Sequence, residues 1–197
     1  MIPKLVSVIV PTVLRASLQT TLKSIHAQSY DLVDVIVVDD SKRNGAAKAR
    51  NTGADRSTGE FLLFCDDDVV LAKDAVQSLV DALVSDSSVA YSYGWYRIDG
   101  IVVGRTPFNA KLLREKNFIS TMSLIRSSAF MRFDERMPRW QDWEMWVRML
   151  QANKVGKFVD TMVFTTTFSK RGISGDPSAL KRAQAIMRER YGIIRNL

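Results

Sequence analysis

Residues 59–71 read GEFLLFCDDDVVL, the most informative stretch of the chain. Five apolar residues, 61–65, run directly into three consecutive carboxylates, Asp66, Asp67 and Asp68. A short apolar run predicts a buried strand, and open α/β sheets bind ligands outside the carboxyl ends of their strands. Hard cations such as Mg²⁺ and Mn²⁺ prefer carboxylate oxygens, so the cluster favours a metal site. The alternative is a solvated acidic turn before a helix, with Asp68 or Asp74 as its cap.

Strands and helices alternate on both sides of this stretch. β-Branched and apolar runs predict strands at residues 6–10, 35–38 and 61–65. Helical spacing of apolar residues predicts helices at residues 15–29, 46–56 and 74–84. This alternation favours a parallel sheet with helices on both faces.

The pattern changes after residue 88. Strands are expected at residues 89–98, 101–103 and 120–126, helices at 141–151 and 177–190, and a β-rich segment at 158–168. The sequence shows no linker and no internal repeat. We therefore expect a single domain over residues 1–197, with the second half extending the same sheet.

Composition limits the classes of protein to consider. The chain has 197 residues, 46% hydrophobic and 25% charged, which suits one globular domain. The formal net charge of +7 favours anionic partners. Lys and Arg are spread without a basic block or an aromatic–basic platform, so no stable nucleic-acid complex is expected. Cys65 is the single cysteine, which excludes an intrachain disulfide, and we expect it to be a small buried hydrophobe.

Localisation follows from the same features. No apolar run is long enough to span a bilayer, and the N-terminus lacks the shape of a signal peptide. We expect a cytoplasmic protein, with a peripheral membrane association as the alternative.

Two further acidic positions lie where such a sheet would gather a ligand. Asp39 and Asp40 follow the second predicted strand, and Asp142 opens the helix at residues 141–151. Together with the cluster at residues 66–68, the chain has three acidic sites at element ends.

Five segments, taken in order, resemble the inverting glycosyltransferases of family 2, which have the GT-A fold. They are VIVPT at residues 8–12 with Arg15, VVDDS at 37–41, GAAKARNTG at 45–53, GEFLLFCDDD at 59–68, and FDE at 133–135 followed by QDWEMWVR at 141–148. The resemblance implies an α/β, Rossmann-like, mixed and mostly parallel sheet flanked by helices. It also implies a nucleotide-binding half, residues 1–88, and an acceptor-binding half, residues 89–197. At this length the chain also resembles stand-alone GT-A proteins encoded by archaeal viruses.

The resemblance implies metal-dependent, inverting transfer of a sugar from a nucleotide-sugar donor to a hydroxyl of a glycan or glycoprotein acceptor. Mn²⁺ or Mg²⁺ would be the cofactor, because a divalent metal stabilises the charge on the leaving diphosphate. The resemblance implies that Asp68 is the main metal ligand. Asp66 would assist it or bind donor hydroxyls, and Asp67 is expected to point away.

Donor-binding residues are also implied by the resemblance. Asp39 would accept a hydrogen bond from the nucleobase, with Pro11, Thr12 and Arg15 beside it. Arg50 would pair with Asp39 or with the diphosphate, or else it is a solvated helix residue.

The late β-rich segment carries two further donor-binding candidates. Lys170 or Arg171 would clamp the diphosphate where the family often has Arg or His. Alternatively, both residues cap the end of that segment.

Asp142 matches the general base of the family. Trp140 and Trp143 would form an apolar wall for the acceptor sugar and raise the basicity of the carboxylate by desolvation. The alternative is that Asp142 only caps its helix.

Three other functions compete with this interpretation. A nucleotidyltransferase would share the general fold, but residues 11–15 are not the Gly-rich basic loop such enzymes carry after their first strand. A non-catalytic sugar- or nucleotide-binding module would bind a donor without turnover. A nucleic-acid-binding protein would show tight, steeply salt-dependent affinity.

Overall fold

Eight strands join in one sheet in the computed structural model, which describes residues 4–167 and 176–193. The strands are β1 (Val6–Thr12), β2 (Val33–Asp39), β3 (Phe61–Phe64), β4 (Val69–Leu71), β5 (Tyr91–Ile98), β6 (Ile101–Val103), β7 (Leu124–Arg126) and β8 (Gly156–Thr166). The helices are α1 (Leu18–His26), α2 (Ala46–Arg56), α3 (Ala75–Val84), α4 (Ala110–Glu115), α5 (Gln141–Gln151) and α6 (Pro177–Tyr191). A short 3₁₀ turn, Ser127–Ala129, follows β7.

The sheet is mixed, with strand order β2-β1-β3-β7-β5-β8-β4 and β6 paired to β5. β1 runs parallel to β2 and β3, and β5 runs parallel to β8. The other four pairings among the described strands are antiparallel. The expected mixed sheet is confirmed, and the three parallel pairings join more residues than the four antiparallel ones. The two-residue turn between β5 and β6 accounts for one antiparallel pairing, because a parallel neighbour needs a long crossover.

Five of the eight described strands nevertheless run in the same direction. β7 is antiparallel to both β3 and β5, so β3 and β5 run in the same direction as each other. β1, β2 and β8 share that direction through their parallel pairings. The carboxyl ends of these five strands therefore meet at the same edge of the sheet.

The core consists of two clusters, one on each face of the sheet. Val8 and Val10 of β1 pack in one cluster with apolar residues of α1 and α3. Ile9, which points to the opposite face, packs with α2 and α5. Period-two alternation with both faces apolar is why β1 reads as a continuous β-branched run. Cys65 is fully buried in the first cluster, as predicted.

Helix α2 packs very closely on β1. A Cβ atom at Gly53 would lie 2.2 Å from Cγ2 of Ile9, so a side chain at this position would push the helix off the sheet. The close packing fixes the position of Arg50, one turn earlier on the same helix.

Two elements were not predicted from the sequence. β4 is a three-residue strand that pairs with β8, and α4 is a six-residue helix whose N-cap, Asn109, accepts a hydrogen bond from Leu112 N at 2.9 Å. Within the described ranges, no helix has both the length and the apolar character needed to cross a bilayer.

Candidate active site

A cavity of about 530 Å³ opens at the edge where the carboxyl ends of β3, β5 and β8 meet. Asp66 and Asp68 line it from the end of β3, and Asp142 lines it from the first turn of α5. The remaining wall includes Tyr96, Thr106, Lys116, Asn117, Ser120 and Phe164. Three of the predicted site carboxylates therefore face the same space.

Each carboxylate of the acidic cluster has a different partner. Arg50 Nη2 donates to Asp66 Oδ1 at 2.6 Å, and Arg15 Nη1 donates to Asp68 Oδ2 at 2.9 Å. The Thr12 hydroxyl donates to Asp67 Oδ2 at 2.6 Å. Asp67 is only 5% exposed and does not line the cavity, whereas its two neighbours do.

Burial and the neighbouring charge of Asp66 raise the pKa of Asp68, against the opposing effect of Arg15. A cation would reverse this effect, because it stabilises the ionised form. Asp68 is thus a carboxylate whose charge is incompletely compensated by the residues around it.

The described residues hold no group of three or more His, Cys, Asp or Glu side chains arranged for a metal ion. Two carboxylates, Asp66 and Asp68, nevertheless line one open cavity. Mg²⁺-like cations are commonly held by one or two carboxylates and complete their coordination with substrate phosphates. The donor set therefore fits a metal that arrives with a phosphorylated ligand.

Arg50 contacts both the end of β3 and the start of α5. It is 8% exposed, and besides Asp66 it donates from Nη1 to Gln141 Oε1 at 3.2 Å. Its guanidinium lies over the Phe133 ring, 5.4 Å from the centroid. The predicted pairing of Arg50 with Asp39 is therefore wrong, as is the alternative of a solvated residue. The close packing of α2 on β1 places Arg50 at the end of β3, next to Asp66.

The carboxyl ends of β1 and β2 lie side by side. Thr12 is paired with Asp39 in the parallel register. Asp39 is exposed, and its Oδ1 accepts a hydrogen bond from Ser41 N at 2.7 Å, which lowers the pKa of Asp39. This exposed, ionised carboxylate is available to a ligand.

Thr12 lies beside Asp39, as predicted, but its hydroxyl is bound elsewhere. Pro11 and Thr12 are the last residues of β1, and the Thr12 hydroxyl is already engaged by Asp67 and by Leu14 N. Arg15 does lie on the loop after β1, but its side chain contacts the acidic cluster. Thr12 therefore supports the position of Asp67, and Arg15 supplies positive charge at the cavity.

Asp142 is held by two hydrogen bonds. Asn117 Nδ2 donates to its Oδ2 at 3.0 Å, and Trp143 N donates to its Oδ1 at 2.8 Å. Burial raises the pKa of Asp142, and these two hydrogen bonds oppose that rise. The N-cap of α5 is Trp140 rather than Asp142, so the carboxylate binds a first-turn N–H while facing the cavity.

The predicted acceptor wall is wrong for Trp143. Its ring is fully buried in the core, and its Nε1 donates to Leu113 O at 2.7 Å. Trp140 is half-buried, packs edge-on against Trp143 at 5.1 Å, and is not part of the cavity lining. The apolar stripe of α5 needs the Trp143 ring for core packing.

Sequence reasoning missed most of the cavity wall, including Asn117 and Tyr96. Tyr96 stacks on Phe164 with 4.5 Å between ring centroids, and burial together with the charge of Asp142 raises its pKa to about 12. Neither residue belongs to a motif or follows a predicted acidic strand end, so no sequence signal indicated them. Lys170 and Arg171 lie outside the described residues.

Residues 41–135 match the family model described as Glycosyl transferase family 2. This match covers a little under half of the chain. It is 30% identical over 190 residues to the amylovoran biosynthesis glycosyltransferase AmsB of Erwinia amylovora, covering 73% of this chain and 62% of AmsB. It is 23% identical over 226 residues to an uncharacterized glycosyltransferase of Haemophilus influenzae, covering 95% of this chain and 77% of that protein.

Solved structures show the same fold. S. aureus TarS 1-349 in complex with UDP-GlcNAc matches with a TM-score of 0.74 at 18% identity, over 94% of this chain and 66% of that one. The mannosyltransferase PcManGT from Pyrobaculum calidifontis, in complex with GDP-Man and Mn²⁺, matches with a TM-score of 0.68 at 18% identity, over 93% and 62%. The expected GT-A fold class is confirmed. The chain spans about three fifths of the length of AmsB and of PcManGT, and the viral origin stays a prediction.

Proposed function

We propose that this chain transfers a sugar from a nucleotide-sugar donor to an acceptor hydroxyl, with inversion at the anomeric carbon. The observation that carries the proposal is the shared cavity of Asp66, Asp68 and Asp142. An acidic pair and a separate, hydrogen-bonded carboxylate line the same space of about 530 Å³. This is the arrangement that a displacement between donor and acceptor requires.

The donor would bind to the first half of the chain, residues 1–88. Asp39 is exposed at the end of β2 and would accept a hydrogen bond from the nucleobase. Arg15 and Arg50 place two guanidinium groups beside the acidic cluster, where a diphosphate needs cations. The structural relatives TarS, in complex with UDP-GlcNAc, and PcManGT, in complex with GDP-Man, support a nucleotide-sugar ligand. A clamp by Lys170 or Arg171 stays a prediction.

Asp68, assisted by Asp66, would hold the metal, which when bound supplies Lewis-acid stabilisation of the leaving diphosphate. Arg15 bonds Asp68 at 2.9 Å, so this contact would open to free the carboxylate. The complex of PcManGT with Mn²⁺ supports the choice of metal.

The acceptor would bind to the second half, residues 89–197, with Tyr96 rather than Trp143 as its aromatic surface. Asp142 would take the proton of the acceptor hydroxyl. The electron pair left on the acceptor oxygen forms the new bond to the anomeric carbon. The bond between that carbon and the diphosphate oxygen breaks, and its electrons leave with the nucleoside diphosphate. Attack opposite the leaving group produces inversion. A glycan or glycoprotein is the acceptor class we propose.

One observation favours a second candidate, a non-catalytic nucleotide- or sugar-binding module. Arg15 and Arg50 already pair with Asp68 and Asp66, which would reduce the repulsion within the cluster without a metal. Such a module has no use for a desolvated carboxylate such as Asp142 on the opposite wall. The transferase is therefore the better-supported function.

The test combines binding with turnover. Melting temperatures are measured with UDP-GlcNAc, UDP-glucose and GDP-mannose, each with Mn²⁺ and with EDTA, because ligands that bind the native state raise the melting temperature. The stabilising donor is then assayed for release of nucleoside diphosphate with a mixture of sugar acceptors. Metal-dependent stabilisation with turnover supports the transferase, and stabilisation without turnover supports the module.

A further inference from the structure

Asn117 lies on the cavity wall directly beside Asp142. It is half-buried in the loop after α4, and its Nδ2 donates to Asp142 Oδ2 at 3.0 Å. Its Oδ1 accepts from Ile119 N at 3.3 Å. Because a backbone N–H can only donate, the amide oxygen must face Ile119 and the amide NH₂ must face Asp142. The local chain therefore fixes which end of the amide meets the carboxylate.

Two tryptophans of α5 form hydrogen bonds to the backbone on either side of Asn117. Trp143 Nε1 donates to Leu113 O at 2.7 Å, and Trp146 Nε1 donates to Ile119 O at 3.2 Å. Both indole rings are fully buried. The segment that carries Asn117 is thus bound on either side to the helix that carries Asp142, which sets the position of one side chain relative to the other.

The two donors hold both oxygens of Asp142. Trp143 N bonds Oδ1 from within α5, and Asn117 bonds Oδ2 from a separate element, so the plane of the carboxylate is fixed. A carboxylate can accept about four hydrogen bonds, so acceptor capacity remains for a hydroxyl in the cavity.

We propose that Asn117 is a positioning residue, which orients the Asp142 carboxylate toward the acceptor hydroxyl. The proposal rests on the proposed role of Asp142 as general base. Asn117 itself does not touch the reacting atoms in this scheme.

Several other charged or titratable groups also face Asp142. Arg50 from α2 favours its ionised form, and Asp66 at the end of β3 disfavours it. Tyr96 from β5 interacts with it, and Lys116 shares the cavity wall. After burial, which raises the pKa of Asp142, the hydrogen bond from Asn117 is the largest influence and acts against that rise. Removing the donor should therefore move the titration of Asp142 to higher pH.

The experiment compares the parent with Asn117→Asp and Asn117→Ala. Asn117→Asp keeps an oxygen for Ile119 N and the shape of the side chain, but it replaces the donor with a carboxylate. Asn117→Ala removes both contacts. Asn109→Ala is the matched control, because it removes an asparagine at the other end of α4 that bonds Leu112 N and not Asp142.

The primary readout is the titration of the Asp142 carboxyl carbon by ¹³C NMR, assigned with Asp142→Asn, on protein without donor or acceptor. We expect a higher midpoint in both Asn117 variants and an unchanged one in Asn109→Ala. With the donor identified by melting, kcat should fall roughly ten- to a hundredfold, as misplaced catalytic groups commonly cost, while KM for the donor stays near the parent value.

An unchanged Asp142 midpoint in Asn117→Ala would overturn the inference, because this variant removes the donor without adding a charge. If Asn117→Ala fails to fold, the uncharged Asn117→Leu carries the test, because the new carboxylate of Asn117→Asp raises the Asp142 midpoint by repulsion alone. The titration tests the role of Asn117 and needs no substrate. The transfer assay tests the proposed function separately, and a parent protein without transferase activity would contradict that function.

Discussion

Arg50 donates a 2.6 Å hydrogen bond from Nη2 to Asp66, and the same guanidinium reaches Gln141 at the first residue of α5. One buried cation thereby links the acidic end of β3 to the helix that carries Asp142. The position of Asp66 and that of the first turn of α5 are therefore set by a shared contact.

Arg50→Lys should weaken this link while keeping one positive charge. An ammonium group cannot bond Asp66 and Gln141 with the planar two-donor geometry of a guanidinium. The free energy of unfolding should fall by about 2 kcal/mol, the usual size for a hydrogen bond to a charged group. Chemical denaturation measures the loss. Arg56→Lys, at the exposed end of the same helix, is the control and should be neutral.

Asp68→Asn should remove the metal-dependent part of nucleoside diphosphate binding. The parent should bind UDP or GDP more tightly with Mn²⁺ than with EDTA, and the variant should show the same affinity in both, because its amide is a poor ligand for a hard cation. Isothermal titration calorimetry makes the comparison. Asp86→Asn, outside the cavity, should behave as the parent does. A variant that keeps its Mn²⁺ dependence would contradict the assignment of Asp68.

Asp39→Ala should weaken nucleoside diphosphate binding by about 1–3 kcal/mol through loss of a hydrogen bond from the base. Its side chain is exposed, so the fold should be unaffected. Calorimetry with UDP and GDP measures the change. Asp31→Ala is the control, since Asp31 lies before the opposite end of β2. Equal affinities in the parent and Asp39→Ala would remove Asp39 from the site.

The sequence predicted the strand-end carboxylates well, for a physical reason. β1, β2 and β3 are parallel neighbours, so acidic residues that follow β2 and β3 must lie at one edge. That inference needs only strand order along the chain and the rule for open sheets. The placement of Asp142 in the same cavity came from the family resemblance instead.

Side-chain partners could not be predicted in the same way. The partner of Arg50 depends on how closely α2 packs on β1, which Gly53 permits. Asn117 lies in a loop without a periodic pattern, and its contact to Asp142 spans 25 positions. Trp143 was assigned to the acceptor because it neighbours Asp142, yet the helical spacing of Trp143 and Trp146 already indicated a core stripe.

The pH dependence of transfer should follow the ionisation of Asp142. Burial raises the pKa of this carboxyl above that of an ordinary Asp, and a general base acts only in its ionised form. The rate should therefore rise with pH through a midpoint above the usual range for Asp. A kcat profile measured with saturating donor gives the midpoint. The rise should occur roughly between pH 4 and pH 7. A rate that does not change with pH over this range would contradict the assignment of Asp142 as general base.

Asp142→Asn should separate chemistry from binding and stability. The amide keeps the shape and can still accept a hydrogen bond from Trp143 N, but it cannot take the proton of the acceptor. Loss of a general base typically costs on the order of 10²–10⁴ in rate, so transfer should slow at least about a hundredfold with donor affinity unchanged.

The stability of Asp142→Asn should not fall with its activity. An Asp whose pKa is raised by folding binds its proton more tightly in the native state, so the ionised carboxylate lowers stability as pH rises through that range. At neutral pH the gain from removing this charge should offset the lost hydrogen bond from Asn117, which the new NH₂ cannot accept, so the variant should melt near the parent temperature. A melt, a donor titration and a transfer assay on one preparation decide the matter, with Asp81→Asn on α3 as the control. Retained transfer would make Asp142 a structural residue of the first turn of α5, whereas a lower melting temperature would show that its charge stabilises the fold.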